Sequence, residues 1–149
     1  MGSITETLKK HRIVTLDTCV WIYHFEQDPH FAALTDEILT AVAKGHCQGI
    51  ISELTLMELI TGPLKLDRQD IADEYELLIS HFPNLTAAPI SKNILLQAAQ
   101  IRAVYGFKTP DAIILATAKE YNASLIVTND QNWSNFQEIK SLYLTDVKQ

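Results

Sequence analysis

The sequence predicts an α/β fold, a parallel sheet with helices on both faces, and three observations carry that expectation. Strand-like and helix-like runs alternate from one end of the chain to the other, the pattern of successive βαβ units. The strand candidates are short and almost wholly apolar, as in Leu125-Ile126-Val127, which suits strands covered on both faces. The helix candidates carry their own punctuation, with Ser52, Ser91 and Thr109-Pro110 at starts and Gly45 and Gly106 at ends.

Taken in order, Arg12–Leu16 reads as a short buried strand and Trp21–Phe25 as the beginning of a helical turn. Phe31, Leu34, Ile38 and Ala41 recur at helical spacing through Lys44, and Gly45 follows as a C′ glycine. Gly49-Ile50-Ile51 is the second strand. Ser52 caps a helix that runs through Thr61 and is stopped by Gly62-Pro63. Asp67 and Asp70 bracket the first turn of the next helix, whose Ile71, Tyr75, Leu78 and Phe82 share one face. Leu85–Ala88 is a short strand after Pro83-Asn84. Ser91 caps a helix with Ile94, Ala98, Ile101 and Tyr105 in line, ended by Gly106. Thr109-Pro110 opens another, with proline at the first helical position, running to about Tyr121. Leu125–Thr128 is a strand and Leu142–Leu144 an edge strand. Met1-Gly2-Ser3 is left out of the fold argument. No repeat or linker divides residues 1–149, so a single domain is expected.

Composition narrows the function classes. No apolar run approaches the ~20 residues of a membrane span and no signal-like segment opens the chain, so the expectation is a cytoplasmic protein. Cys19 and Cys47 lack a CxxC partner and read as reduced thiols. The five histidines show no HxxxH spacing, which argues against a zinc site. A net charge of −6 argues against a protein that coats nucleic acid, but not against an enzyme whose metal ion meets the phosphate.

Four acids sit where a carboxylate is costly. Asp17 ends Ile13-Val14-Thr15-Leu16, Glu58 interrupts an apolar helix between Leu54 and Ile60, Asp111 opens Ala112–Ala116, and Asp130 follows Leu125–Asn129. Charged groups in apolar surroundings need a partner or a cation. Each has an ordinary alternative: Asp17 as a helix N-cap, Asp130 as a turn residue, Asp111 as a first-turn acid that complements the helix dipole, Glu58 as a solvated surface charge. Brought together, the four suggest a divalent-metal site and a phosphodiester hydrolase.

These segments resemble a known family. Leu16-Asp17-Thr18-Cys19-Val20-Trp21-Ile22 and Thr55-Leu56-Met57-Glu58-Leu59-Ile60-Thr61-Gly62 are similar to the first two motifs of PIN-domain ribonucleases. Pro110-Asp111-Ala112-Ile113-Ile114-Leu115-Ala116-Thr117-Ala118 and Ile126-Val127-Thr128-Asn129-Asp130 resemble the third and fourth. The nearest subgroup is the VapC-like toxins of toxin–antitoxin pairs. The resemblance implies a three-layer α/β/α fold with a parallel sheet in the order 3-2-1-4-5. It also implies Mg²⁺- or Mn²⁺-dependent endoribonuclease activity, with Asp17, Glu58, Asp111 and Asp130 as metal and catalytic residues. Thr128 is implied as the hydroxyl supporting the fourth acid. A small antitoxin protein and a homodimer are the implied partners, besides the RNA substrate.

The family often has Ser or Asn where this chain has Cys19. A thiol is a poor hydrogen-bond partner, so Thr18 is expected to take over its supporting role. Lys108 and Asn129 are the candidate substrate contacts, with Arg102 and Lys65 as further cations; solvated surface charge is the ordinary reading of all three cations. Trp21 and Trp133 flank two acidic motifs and read either as base-stacking platforms or as core. The competing reading of the whole chain is a catalytically weak or inactive PIN-fold module that binds RNA or a protein. Aspartyl-phosphate phosphatases and receiver domains fit poorly, because Cys19 stands where the former need a second Asp and Thr128-Asn129-Asp130 where the latter need a lysine.

Overall fold

The computed structural model describes residues 3–147. In chain order the elements are α1 (Ile4–Lys9), β1 (Ile13–Leu16), α2 (Thr18–Phe25), α3 (Ala32–Ala43), β2 (Gln48–Ser52), α4 (Glu53–Lys65), α5 (Gln69–Ser80), β3 (Leu85–Ala88), α6 (Lys92–Tyr105), α7 (Thr109–Glu120), β4 (Leu125–Thr128) and β5 (Lys140–Tyr143). Two 3₁₀ turns, Gln131–Asn135 and Leu144–Asp146, follow β4 and β5. The five strands form one sheet in the order β3-β2-β1-β4-β5, and every pairing is parallel.

Strand alternation splits the apolar residues into two cores. On one face Val14 and Leu16 of β1, Ile51 of β2, and Leu125 and Val127 of β4 pack with α1, α2 and α3. On the other, Ile13 and Ile126 pack with α6 and α7 and with Trp133 and Phe136. That is the three-layer arrangement, in the expected strand order.

The punctuation is realised in hydrogen bonds. Ser52 Oγ accepts from the Leu54 N–H at 3.1 Å and Ser91 Oγ from the Ile94 N–H at 3.1 Å. Gly106 ends α6 at φ 77, where a side chain would be strained. Asn84 adopts φ 60 before β3, and its side-chain amide donates to the Val42 and Ala43 carbonyls, closing the C-terminal end of α3.

The structure corrects or adds to the sequence reading at five points. Residues 4–9 form a helix, and Ser3, set aside in the sequence, caps it by accepting from the Glu6 N–H; Ile4 and Leu8 anchor it in the first core. α4 does not stop at Gly62-Pro63. Proline there gives up one N–H in the last turn, while its carbonyl still accepts from Leu66 and Arg68. α4 is also less buried than its apolar sequence suggests: Thr55 and Leu59 are enclosed, but Met57 is 56% exposed. α5 buries Ala72 and Ile79 and leaves Leu78 46% exposed, because its contact line is rotated by less than about 100°, one residue's advance, from the expected stripe. Trp21 and Trp133 are fully buried, so both are core and neither is a base-stacking platform.

Candidate active site

β1 and β4 are neighbours in the middle of the sheet, where the chain turns from building one half to building the other. Strand ends at such a switch point form a crevice. Asp17 is the residue after β1, and its backbone N–H bonds to the Val127 carbonyl at 2.9 Å, so its place is fixed by the ladder itself. Asp130 lies two residues past β4 on the same edge. Glu58 comes from the second turn of α4, which leaves β2 directly, and Asp111 from the first turn of α7. All four are half-buried. Asp17 feels the charges of Asp111 and Glu58, and Asp111 those of Asp130 and Glu58, so the fold brings the four together.

Threonines orient these acids. Thr128 Oγ1 donates to Asp17 Oδ2 at 2.7 Å across the β1–β4 pair. It touches the fourth acid only by accepting the Asp130 backbone N–H at 3.1 Å. Thr128 therefore holds the backbone of the fourth acid and also gives its hydroxyl proton to the carboxylate of the first. Asp17 Oδ1 accepts the Thr18 N–H at 2.8 Å, the N-cap role of that carboxylate. The Thr18 hydroxyl turns the other way and donates to Glu58 Oε1 at 2.7 Å. Its single proton spent there, Thr18 must accept from Thr55 Oγ1, 3.0 Å away and fully buried. Thr55 was missed by sequence reasoning, since only the packing of α2 on α4 brings it near.

Burial raises the Asp17 carboxyl to about 6, with Asp111 and Glu58 adding to the rise and the bonds from Thr128 and Thr18 opposing it. Asp111 is raised too, by burial first and then by Asp130 and Glu58. Burial and the Asp17 charge push the Cys19 thiol up to about 12, which removes it as a nucleophile near neutral pH.

Among the described residues, no group of three or more His, Cys, Asp or Glu side chains stands close enough to hold a metal ion as the side chains lie. The donor chemistry nonetheless fits one. The set is all oxygen and all acidic, which suits Mg²⁺ or Mn²⁺ over softer ions. The raised Asp17 and Asp111 show carboxylates whose charge is uncompensated by the protein.

The candidate substrate contacts divide. Lys108 is exposed and close enough to Asp111 to act on it. Asn129 is engaged within the chain: its side-chain oxygen accepts the Thr145 N–H at 3.1 Å and its nitrogen reaches Tyr23 Oη at 3.4 Å, pinning the C-terminal segment to α2. Arg102 donates to the Phe107 carbonyl at 3.3 Å beyond the end of α6. A cleft of about 390 Å³ opens beside Glu58, lined by Ile22, Phe25, Pro63, Leu66 and Tyr75.

Known proteins share this fold. The family model described as PIN domain matches residues 14–139. No curated protein matches the chain. Among solved structures, a toxin–antitoxin complex from Klebsiella pneumoniae is similar at 25% identity and TM-score 0.66, covering 88% of this chain and 97% of that one. VapBC2 from Rickettsia felis, bound to a DNA fragment from its promoter, matches at 19% identity and TM-score 0.72 over 88% and 98% of the two chains. DNA-bound VapBC from Salmonella typhimurium matches at 21% and 0.66 over 89% and 98%. A family match over most of the chain, on a sheet in the order β3-β2-β1-β4-β5 with acids at its switch point, has one meaning: this protein belongs to the PIN domain family.

Proposed function

We propose that the protein is a divalent-metal-dependent endoribonuclease, one PIN-like domain over residues 1–149, acting as the toxin of a VapBC-type pair in the cytoplasm. The observation that carries this reading is the assembly of Asp17, Glu58, Asp111 and Asp130 on one sheet edge, with Asp17 raised to about 6 by burial and by its acidic neighbours. Asp17, Glu58, Asp111 and Asp130 are the residues that would hold the ion, once their side chains turn toward it. Bound, Mg²⁺ or Mn²⁺ supplies the positive charge that lets an anionic phosphodiester approach and a water attack it. Thr128 orients Asp17 and Thr18 orients Glu58 through one oxygen each. Glu58 Oε2 is left to orient the attacking water, and Lys108 to meet a phosphate. The thiol of Cys19, at about 12, takes no part in proton transfer.

The Klebsiella pneumoniae structure, named as a toxin–antitoxin complex, and the VapBC structures support an antitoxin partner for this chain. The apolar cleft beside Glu58, with Glu26 at its rim, suits an apolar segment that carries a basic residue. Among the described residues no helix is long and apolar enough to cross a membrane. A homodimer is part of the proposal, and light scattering on the purified protein tests it.

The test of activity is incubation with a mixed RNA pool in Mg²⁺, Mn²⁺ or EDTA, beside an Asp17→Asn control. Metal-dependent cleavage absent from the variant is expected. The second reading, a PIN module that binds without cutting, is favoured by one observation: the acids do not converge tightly enough to hold an ion as they lie. RNA binding that is equally tight in EDTA and in Asp17→Asn, without cleavage, decides for it.

A further inference from the structure

Two buried indole N–H groups, those of Trp21 and Trp133, have no acceptor at ordinary hydrogen-bond geometry. Both side chains are sealed from solvent. An orphaned donor inside a protein is costly and calls for a reason. For Trp21 the surroundings supply one. Its ring meets Phe82 edge to face at 5.2 Å and Phe25 at 6.0 Å, and aromatic faces are weak acceptors. Trp133 has no such ring pair among the described residues. The polar group it faces is the carboxylate of Asp111.

The placement of Trp133 is specific. It sits in the 3₁₀ turn Gln131–Asn135, which Asp130 caps by accepting the Asn132 N–H at 3.0 Å. Its indole packs in the second core with Ala112, Ile113 and Ile114, the residues that follow Asp111 in α7. One rigid side chain therefore spans the two elements that deliver the third and fourth acids.

We infer that Trp133 is a positioning residue of the acid site, its Nε1–H serving as the fixed donor that sets the orientation of the Asp111 carboxylate. The indole cannot turn, because its ring is enclosed on all sides. Asp111 must come to it, and by doing so takes one defined direction toward Asp130 and Glu58. The consequence for metal affinity rests on the nuclease reading above; the Trp133–Asp111 bond itself does not.

The experiment uses the full chain labelled with ¹⁵N, whose two tryptophans give two indole cross-peaks, assigned with Trp21→Phe and Trp133→Phe. The Trp133 peak is expected downfield, moving upfield in Asp111→Ala while the Trp21 peak stays. Addition of Mg²⁺ moves the Trp133 peak and not the other. Replacing Trp133 by benzothienylalanine keeps the ring shape and removes only the N–H. That variant is expected to keep its melting temperature, to bind Mn²⁺ about 10-fold more weakly by calorimetry, and to lose kcat with little change in KM. A Trp133 peak indifferent to Asp111→Ala, or Mn²⁺ affinity unchanged in the isostere, overturns the inference. Mn²⁺ binding without RNA cleavage sinks the nuclease reading and leaves this one standing. If the unmodified protein holds no Mn²⁺ either, the cross-peak comparison alone decides.

Discussion

The carboxyl of Asp17 is hydrogen-bonded on both oxygens and is still raised from 3.8 to about 6, so burial outweighs the two bonds. Between about pH 4 and pH 6 the folded protein keeps a proton that the unfolded chain has released. Stability in EDTA is therefore expected to fall as pH rises through that window, by up to about 3 kcal/mol for a shift of two units. Urea unfolding at both ends of the window measures it, and a midpoint that climbs with pH overturns the assignment. The same imbalance sets the outcome for Asp17→Asn. A neutral side chain is expected to stabilise the fold near neutral pH by about 1–2 kcal/mol while abolishing metal-dependent cleavage, the usual opposition between stability and a strained site. A variant that is less stable than its parent in EDTA would show that Asp17 is anchored more by its bonds to Thr18 and Thr128 than it is opposed by burial.

At the scale of elements, Asn84 does two jobs that substitutions separate. Asn84→Gly loses the two bonds to the end of α3 but accepts φ 60 freely, whereas Asn84→Ala loses the same bonds and adds the strain of a left-handed backbone. The alanine variant is expected to cost about 2 kcal/mol and the glycine variant about 1 kcal/mol less, in chemical unfolding. Equal losses would locate the whole effect in the hydrogen bonds. Features of this local kind were open to sequence reading. Ser52, Ser91, Gly45 and Gly106 mark their helix ends through bonds and dihedrals that involve near neighbours only. Asp17 and Asp130 were legible for the same reason, each following an apolar strand. What stayed hidden depends on contacts distant in sequence. Thr128 looked like a support for Asp130, two residues away, and also serves Asp17, which is 111 positions distant, because β1 and β4 pair. Thr55, Trp133 and the contact line of α5 belong to the same class: each is decided by how one helix lies on another.

The molecule as a whole carries a charge of −6, and four of its carboxylates stand on the proposed path of an RNA substrate. RNA is therefore expected to bind poorly in EDTA at physiological salt and to be retained once Mg²⁺ or Mn²⁺ is supplied, with the Asp111→Asn variant responding less. Filter binding across a cation series reads this out, and retention that ignores the cation points to a surface remote from the acids. The pairing of β1 with β4 has one more consequence. Leu16 lies opposite Val127, and the Asp17 N–H is fastened to the Val127 carbonyl, so the spacing of the first and fourth acids is written in main-chain bonds. Side chains can drift without moving that frame. Apolar substitutions in the two cores are therefore expected to alter stability before they alter the spacing of these two carboxylates, because main-chain bonds rather than side-chain packing set it.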